Sequence, residues 1–359
     1  MTSHSHLRRL VIFLSCTFLV SAQPKSSCAT NGTTCFPPTW APEWSLTYST
    51  ICQPSSPSYF LPPANQPWGL ISLDWSVNKQ TWNKNGLRNG TIEATSRENC
   101  RQIKALFPKT KCFIYHNMEL ALEAVESQRA VMYPPPSPYF MMQWADGSIY
   151  NEPGGPGDQF FWNFTTPAVR QYFSDSVLNS INYPETDGSF TDDVTGIPAE
   201  HNAILKNLNL SASDVARYQD ATSVANQMLI DAAISAGKYI WQAFGDQDGV
   251  SSGPSQATCA AWMRSRCTAA HQLTATTQSI DKSNFNQSLA SFLITRPPIG
   301  FFGFGWESDQ RDWMPEFLWD VGTPSNQCTE TSVGVFSRTW TYGVSTLDCN
   351  QWKAVIPAH

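Results

Sequence analysis

Asp192 and Asp193 close a short run, Gly188-Ser-Phe-Thr-Asp-Asp193, whose first residues read as a strand and whose sequel, Val194 to Pro198, reads as a loop. Carboxylates at the end of a buried strand are costly to desolvate and suited to proton transfer. Two further acids stand in the same situation. Asp74 follows the apolar Gly69-Leu-Ile-Ser-Leu73, and Glu307 follows Gly300-Phe-Phe-Gly-Phe-Gly305. Close to other strand ends fall His116, Asn117, Trp144, Gln242, Asp246 and Trp306. Aromatic faces stack on sugar rings, and carboxylates and amides pair with sugar hydroxyls, so this mixture suits a carbohydrate cleft.

Cleaving a glycosidic bond takes two carboxyl groups, about 5–5.5 Å apart for retention and about 6.5–9.5 Å for inversion. Neighbouring side chains on a strand point to opposite faces, so Asp192 and Asp193 are expected to divide their roles. Asp193 shares a face with Ser189 and Thr191, and Asp192 shares one with Phe190; this parity favours Asp193 as the acid in the cleft. The partner acid is expected at Glu307, in the row Phe301-Gly303-Gly305-Glu307, where the glycines leave room for a ligand. Asp74 is the reserve, orienting or binding substrate. Plainer readings stand beside these. Asp74 and the Asp-Asp pair also fit helix or loop caps, and Glu307 also fits the first turn of a surface helix. The tryptophans suit a core, and a single histidine such as His116 suits a hydrogen-bonded structural group. Several acids falling at the same end of several strands favours chemistry.

Other chemistries find less support. Beyond the leader the histidines are His116, His201, His271 and His359, and no H-x-H or H-x-x-x-H spacing occurs. No G-x-S-x-G elbow marks a nucleophilic serine. No cofactor is expected.

The elements that would position these residues start behind a leader. Arg8 and Arg9, the apolar stretch 10–20 and Val20-Ser21-Ala22 read as a signal peptide over residues 1–22. Residues 23–67, rich in Pro, Ser, Thr and Cys, are expected to form an irregular arm tied down by a disulfide. From residue 68 to 359 strands alternate with helices. Strands are expected over 69–74, 111–115, 139–144, 188–193, 238–244, 271–277, 300–305 and 332–340. Helices are expected over 94–107, 118–131, 166–181, 213–236, 259–269 and 284–294. Repeated βα units imply a parallel sheet, and eight of them predict an α/β fold of the (β/α)8 TIM-barrel type. An open doubly wound sheet would carry a Gly-rich phosphate turn after its first strand, and Asp74-Trp-Ser-Val77 is not one.

Composition adds a compartment. The formal net charge is −6, with 23 Lys and Arg against 29 Asp and Glu, and no basic run occurs; nucleic acid is not an expected partner. No stretch beyond the leader is apolar for about 18 residues, so no membrane span is expected. Ten cysteines, with Cys16 in the leader, imply an oxidising compartment. Local pairing predicts Cys100–Cys112, Cys259–Cys267 and Cys328–Cys349, with one bridge among Cys28, Cys35 and Cys52. N-x-[ST] sequons at Asn31, Asn89, Asn163, Asn209 and Asn286 mark glycosylation candidates on surface loops. A secreted, monomeric protein is the expectation.

The strand ending in Asp74-Trp75, the mid-chain GSFTDDV and the C-terminal DVG…GVFSRTWTYG together resemble secreted TIM-barrel glycoside hydrolases distantly similar to the endo-α-1,4-polygalactosaminidase-like hydrolases. The resemblance implies a catalytic aspartate at Asp192 or Asp193. It also implies that Phe336, Arg338, Trp340 and Gly343 belong to the closing strand of the barrel. The expected activity is hydrolysis of an extracellular or cell-wall polysaccharide. The alternative is a barrel that binds carbohydrate without cleaving it.

Overall fold

Parallel strands covered on both faces are written as unbroken apolar runs. In the computed structural model, Leu70–Leu73, Tyr239–Gln242 and Gly300–Gly303 are buried along their whole length. The structure describes residues 48–52, 61–75, 92–133, 140, 142, 159–194, 210–242, 250–268, 276–303 and 313–357. In chain order the main elements are β1 (Tyr48–Cys52), β2 (Leu70–Leu73), α1 (Ile92–Leu106), β3 (Lys111–Asn117), β4 (Leu120–Leu122), α2 (Glu126–Met132), β5 (Gln159–Phe161), α3 (Pro167–Ile181), β6 (Gly188–Asp192), α4 (Ala212–Ser235), β7 (Tyr239–Gln242), β8 (Val250–Ser252), α5 (Cys259–Thr268), β9 (Thr276–Ser279), α6 (Phe285–Thr295), β10 (Gly300–Gly303), β11 (Thr329–Ser332), β12 (Val335–Trp340), β13 (Gly343–Asp348) and β14 (Lys353–Val355).

Eight of the strands form one parallel sheet in the order β7-β6-β3-β2-β1-β10-β9-β8. From β1 the chain order runs outward to β7 on one side and returns from β8 on the other. β7 and β8 are the edges, and among the described residues no pairing joins them. One face carries Leu70, Phe113, Tyr115, Phe190, Tyr239, Trp241 and Phe301, a row of bulky and mostly aromatic side chains packed on one another. The other face carries Ile71, Leu73, Ile114, Ile240 and Phe302, against which α1, α3, α4 and α6 pack. The helices are cut by local signals. Pro167 stands at the start of α3, and Ser211 and Asp214 form a reciprocal capping box at the start of α4.

Several expectations need correction. Residues 23–67 are not irregular throughout, since β1 lies at the middle of the sheet, between β2 and β10. The stretch 118–131 is helical only from Glu126. Asn117 Oδ1 accepts the backbone N–H groups of Glu119 and Leu120, and Gln128 accepts that of Leu122, which holds a turn and the short strand β4 there. In 139–144 Phe140 and Met142 are not in a strand, and the remaining residues lie outside those described. The strand expected over 271–277 is Thr276–Ser279, and the short β8 went unforeseen.

The segment 332–340 does not close the parallel sheet. With Phe336, Arg338, Trp340 and Gly343 it belongs to a separate antiparallel sheet, β11-β12-β13-β14, packed on α5 and α6. Two of the expected disulfides also change. Cys100–Cys112 forms, but Cys259 pairs with Cys349 and Cys267 with Cys328. Cys259 and Cys267 sit near opposite ends of α5, about 12 Å apart along a helix, beyond the reach of a disulfide. The two bridges instead staple both ends of α5 to the terminal sheet. Cys28 and Cys35 lie outside the described residues, as do Asn31, Asn89 and Asn209. Asn286 is exposed in the first turn of α6, and Asn163 is half-buried with its Oδ1 accepting from Thr165 Oγ1 at 2.5 Å.

At the lower end of the strands, Asp187 ties three elements together. It pairs with Lys104 of α1 at 2.5 Å and Lys111 of β3 at 3.3 Å, and accepts the Cys112 N–H at 2.9 Å. The next residue, Gly188, lies between Phe113 and Tyr239 in register, and a Cβ there would come 2.2 Å from the Tyr239 carbonyl oxygen. Gly188→Ala should therefore push β7 away from β6 and destabilise the protein by about 1–3 kcal/mol, as overpacking does. Thermal unfolding of the variant checks this, and an unchanged Tm would show that β7 does not press on β6 as described.

Candidate active site

β3 and β6 lie side by side with Tyr115 opposite Phe190 and Asn117 opposite Asp192. Phe113, Tyr115 and Asn117 therefore share a face with Phe190 and Asp192, and this is the aromatic inner face. Ser189 and Thr191 point to the helices: Ser189 Oγ lies 2.8 Å from His116 Nδ1, and Thr191 Oγ1 donates to the Trp241 carbonyl. The parity that favoured Asp193 thus selects the opposite residue, and Asp192 is the acid of the inner row.

Asp193 reaches the same neighbourhood by another route. Its φ is +51°, in the left-handed region that aspartate tolerates better than most residues. Leaving the strand in this conformation breaks the alternation, and its carboxylate turns back to Asn117. Asp193 Oδ2 accepts from Asn117 Nδ2 at 2.7 Å, and the same Nδ2 donates to Tyr115 Oη at 3.0 Å. The Tyr115 hydroxyl donates to Asp192 Oδ2 at 2.9 Å, and Asp192 Oδ1 accepts the Asp193 N–H at 3.0 Å. Two consecutive carboxylates are so joined by a chain of side-chain hydrogen bonds running through Tyr115 and Asn117.

The orientation of the Asn117 amide follows from its other contacts. Its Oδ1 accepts from the backbone N–H groups of Glu119 at 2.8 Å and Leu120 at 2.7 Å, so its Nδ2 must be the end facing Tyr115 and Asp193. Burial pushes the Asp192 carboxyl up to about 7. The charge of Asp193 adds to the rise, the hydrogen bonds from Tyr115 and the Asp193 N–H oppose it, and the charge of Asp74 adds again. Burial, followed by the charge of Asp192, holds the Tyr115 phenol well above its ordinary value, so it stays a donor at any working pH. Asp74 is 2 % exposed and continues the inner row of Leu70 and Ser72, close enough for its charge to bear on Asp192.

The remaining expected residues divide cleanly. Asn117 belongs to the site. His116 does not: it points to the helices, with Nδ1 at 2.8 Å from Ser189 Oγ and Nε2 at 2.9 Å from Ser180 Oγ. Both serines also reach backbone carbonyls, Ser180 that of Val177 and Ser189 that of Ile114. Burial pulls the His116 imidazole down to about 4, against a backbone hydrogen bond with Ile114 that raises it. Gln242 also faces outward, donating to Asn226 Oδ1 of α4. Glu307, Trp144, Asp246 and Trp306 lie outside the described residues. Tyr115 was missed, though it alternates with Phe113 and Asn117 and that row was readable in the sequence. The alternation of Phe301 and Gly303 on the inner face holds as far as residue 303. Among the described residues no group of three or more His, Cys, Asp or Glu side chains is arranged to hold a metal ion, and no helix is long and apolar enough to cross a membrane.

Against this geometry, a family model described as hypothetical glycosyl hydrolase family 15 matches residues 104–344. No curated protein matches the sequence. Among solved structures, similarity extends to a GH31 dextranase of Flavobacterium johnsoniae, with 12% identity, a TM-score of 0.44, and coverage of 81% of this chain and 39% of that one. It extends also to an alpha-N-acetylgalactosaminidase of Bifidobacterium bifidum, with 12% identity, a TM-score of 0.43, and coverage of 81% and 49%. The glycoside hydrolase domain of PelA from Pseudomonas aeruginosa is similar at 10% identity and a TM-score of 0.39, with coverage of 75% and 97%. The chain thus spans less than half the length of the first two.

The assignment of His116 as structural has a measurable consequence. Its folded-state pKa of about 4 lies below the ordinary 6.5, so between those values the unfolded chain binds a proton that the native protein does not. Stability linked to His116 is present above about pH 6.5 and is lost as the pH falls toward 4, by an amount on the order of 3 kcal/mol. A His116→Gln variant lacks that loss, so its Tm deficit relative to the wild type should narrow over this window. A deficit that stays constant from pH 6.5 to 4 would refute the neutral buried imidazole.

Proposed function

The chain belongs to hypothetical glycosyl hydrolase family 15, and from that membership we propose that it hydrolyses glycosidic bonds of an extracellular or cell-wall polysaccharide by a two-carboxylate mechanism. One observation carries the reading: Asp192 stands on the aromatic inner face, held by Tyr115 and the Asp193 N–H, where burial and the charges of Asp193 and Asp74 raise its pKa. A general acid for glycoside cleavage needs a raised pKa beside a second acid that stays ionised.

In this reading Asp192 gives its proton to the leaving glycosidic oxygen as the bond to the anomeric carbon breaks. Asp74, on another strand of the same row, is the opposing carboxylate. It stabilises the positive charge that develops at the anomeric carbon, either by bonding to it or by activating the water that attacks it. Burial keeps Asp192 protonated, and the charge of Asp193, held by Asn117, adds to it. Glu307, expected from the sequence, is the second candidate for the opposing carboxylate, with Trp144, Asp246 and Trp306 as further sugar contacts. The parallel sheet is proposed to close between β7 and β8 as a (β/α)8 barrel, a reading supported by a strand order that follows the chain once round. The catalytic unit would then begin at β1, within the arm expected over 23–67, behind a leader over 1–22, and the antiparallel sheet β11–β14 would stand outside the barrel. Secretion as a monomer is part of the proposal, and three disulfides are compatible with an oxidising compartment.

A panel of polysaccharides with reducing-end detection tests the activity. Asp192→Asn should abolish release of reducing ends, and kcat/KM of the wild type should fall as the pH rises through about 7. The same substitution should raise the Tm. A carboxyl group whose folded pKa lies above its ordinary 3.8 costs stability as the pH rises between those values, and Asn carries no such cost. The Tm gain should therefore be larger at pH 8 than at pH 4. Azide rescue of Asp74→Gly, and not of Glu307→Gly, would identify Asp74 as the opposing carboxylate. Binding of a polysaccharide without any cleavage would make the protein a carbohydrate-binding one instead.

A further inference from the structure

We propose that Tyr115 and Asn117 are positioning residues that act as one directional device, in which Asn117 commits the Tyr115 proton to Asp192 and fixes the Asp193 carboxylate at the other end. The inference rests on the reading of Asp192 as the acid of the site, but its geometry stands without any substrate.

The direction is set by exhaustion of partners. Asn117 Oδ1 is occupied by two backbone N–H groups, those of Glu119 and Leu120. Its Nδ2 has two protons, and both are placed: one on Tyr115 Oη and one on Asp193 Oδ2. An amide nitrogen cannot accept, so the Tyr115 oxygen must be the acceptor in that pair, and its single proton is free to go to Asp192 Oδ2. Each member is buried or nearly so; Asn117 is 4 % and Tyr115 3 % exposed, and low local dielectric strengthens such a chain. The backbone adds the last link, the Asp193 N–H that meets Asp192 Oδ1.

Two consequences follow for the acid. With Tyr115 on Oδ2 and a backbone N–H on Oδ1, both oxygens of Asp192 are held, so the plane of its carboxyl cannot rotate freely. Tyr115 also stabilises the ionised form of Asp192 against burial and against the charges of Asp193 and Asp74, the charged groups that bear on it. The device therefore trims the proton affinity of the acid. Tyr115 and Asn117 touch no reacting atom in this scheme; they act through the two aspartates.

The test reads Asp192 directly, by infrared difference titration of the full-length protein against its Asp192→Asn variant. In the wild type the Asp192 carboxyl band should titrate near pH 7. Tyr115→Phe keeps the ring and removes the donor, so the midpoint should move upward by about one unit. Site-specific replacement of Tyr115 by 3-fluorotyrosine keeps the fold and makes a stronger donor, so the midpoint should move downward. In both proteins the alkaline limb of kcat/KM should follow the infrared midpoint. An upward and a downward shift together establish the device even if no polysaccharide is cleaved, in which case the glycosidase reading alone fails. If the midpoint stays put in both variants while hydrolysis continues, the device is overturned and the glycosidase reading survives.

Discussion

The site depends on one side-chain amide. Strand geometry points consecutive residues to opposite faces, so Asp192 and Asp193 ought to serve different surfaces. They converge because Asp193 leaves β6 in a left-handed conformation and because Asn117, one strand away, holds what that conformation delivers. Asn117 can do so only because β3 and β6 pair with it opposite Asp192, a register shared by the whole inner row from Phe113 upward. Gly188 matters for the same reason at the other end of the strand. Without a side chain there, β7 closes on β6 and sets Trp241 beside Phe190, which packs with it at 4.7 Å between ring centres.

That aromatic row also raises the proton affinity of Asp192. Phe190, Tyr115 and Trp241 remove water from one side of its carboxyl, while Asp193 and Asp74 oppose its ionisation from the other. Groups shifted in this way concentrate at sites where chemistry needs them, because the fold would gain stability by dispensing with them. Arg296 shows that burial alone is not a sign of a site. It is buried and pulled down to about 9 by that burial, yet it lies at the end of α6 beside the terminal sheet, its carbonyl held by Arg338.

Much of this could be read from the sequence, and the failures share a cause. Largely apolar runs identified β2, β3, β7 and β10, because strands buried on both faces need no alternation, and β6 was read from strand-forming residues that end in two acids. The same rule, applied strictly, would have set Val335–Trp340 apart. Its burial alternates between inner and outer residues, the mark of a two-faced antiparallel strand, and it belongs to one. β1 was hidden among the prolines and serines around it, and β8 has three residues, too few for any pattern. Asp193 was preferred to Asp192 because it shares its parity with Ser189 and Thr191. Small polar residues on a parallel strand serve the helix interface just as well, where Ser189 meets His116 and bulky aromatics fill the other face. Tyr115 was not named as a candidate at all, although alternation along β3 sets it on the face opposite His116.

Burial acts on both sides of the same two strands and with opposite sign. Beneath the helices it pulls His116 down to about 4, so the imidazole is neutral above that value. On the inner face it pushes Asp192 up to about 7, so the carboxyl is neutral below that value. Between the two limits neither group is charged in the native protein, and neither imposes a desolvated charge on the sheet. His116 is fully buried with both ring nitrogens held by serines, so it has no path to a ligand. Only between about pH 4 and 7 does Asp192 hold its proton while His116 behind it stays neutral.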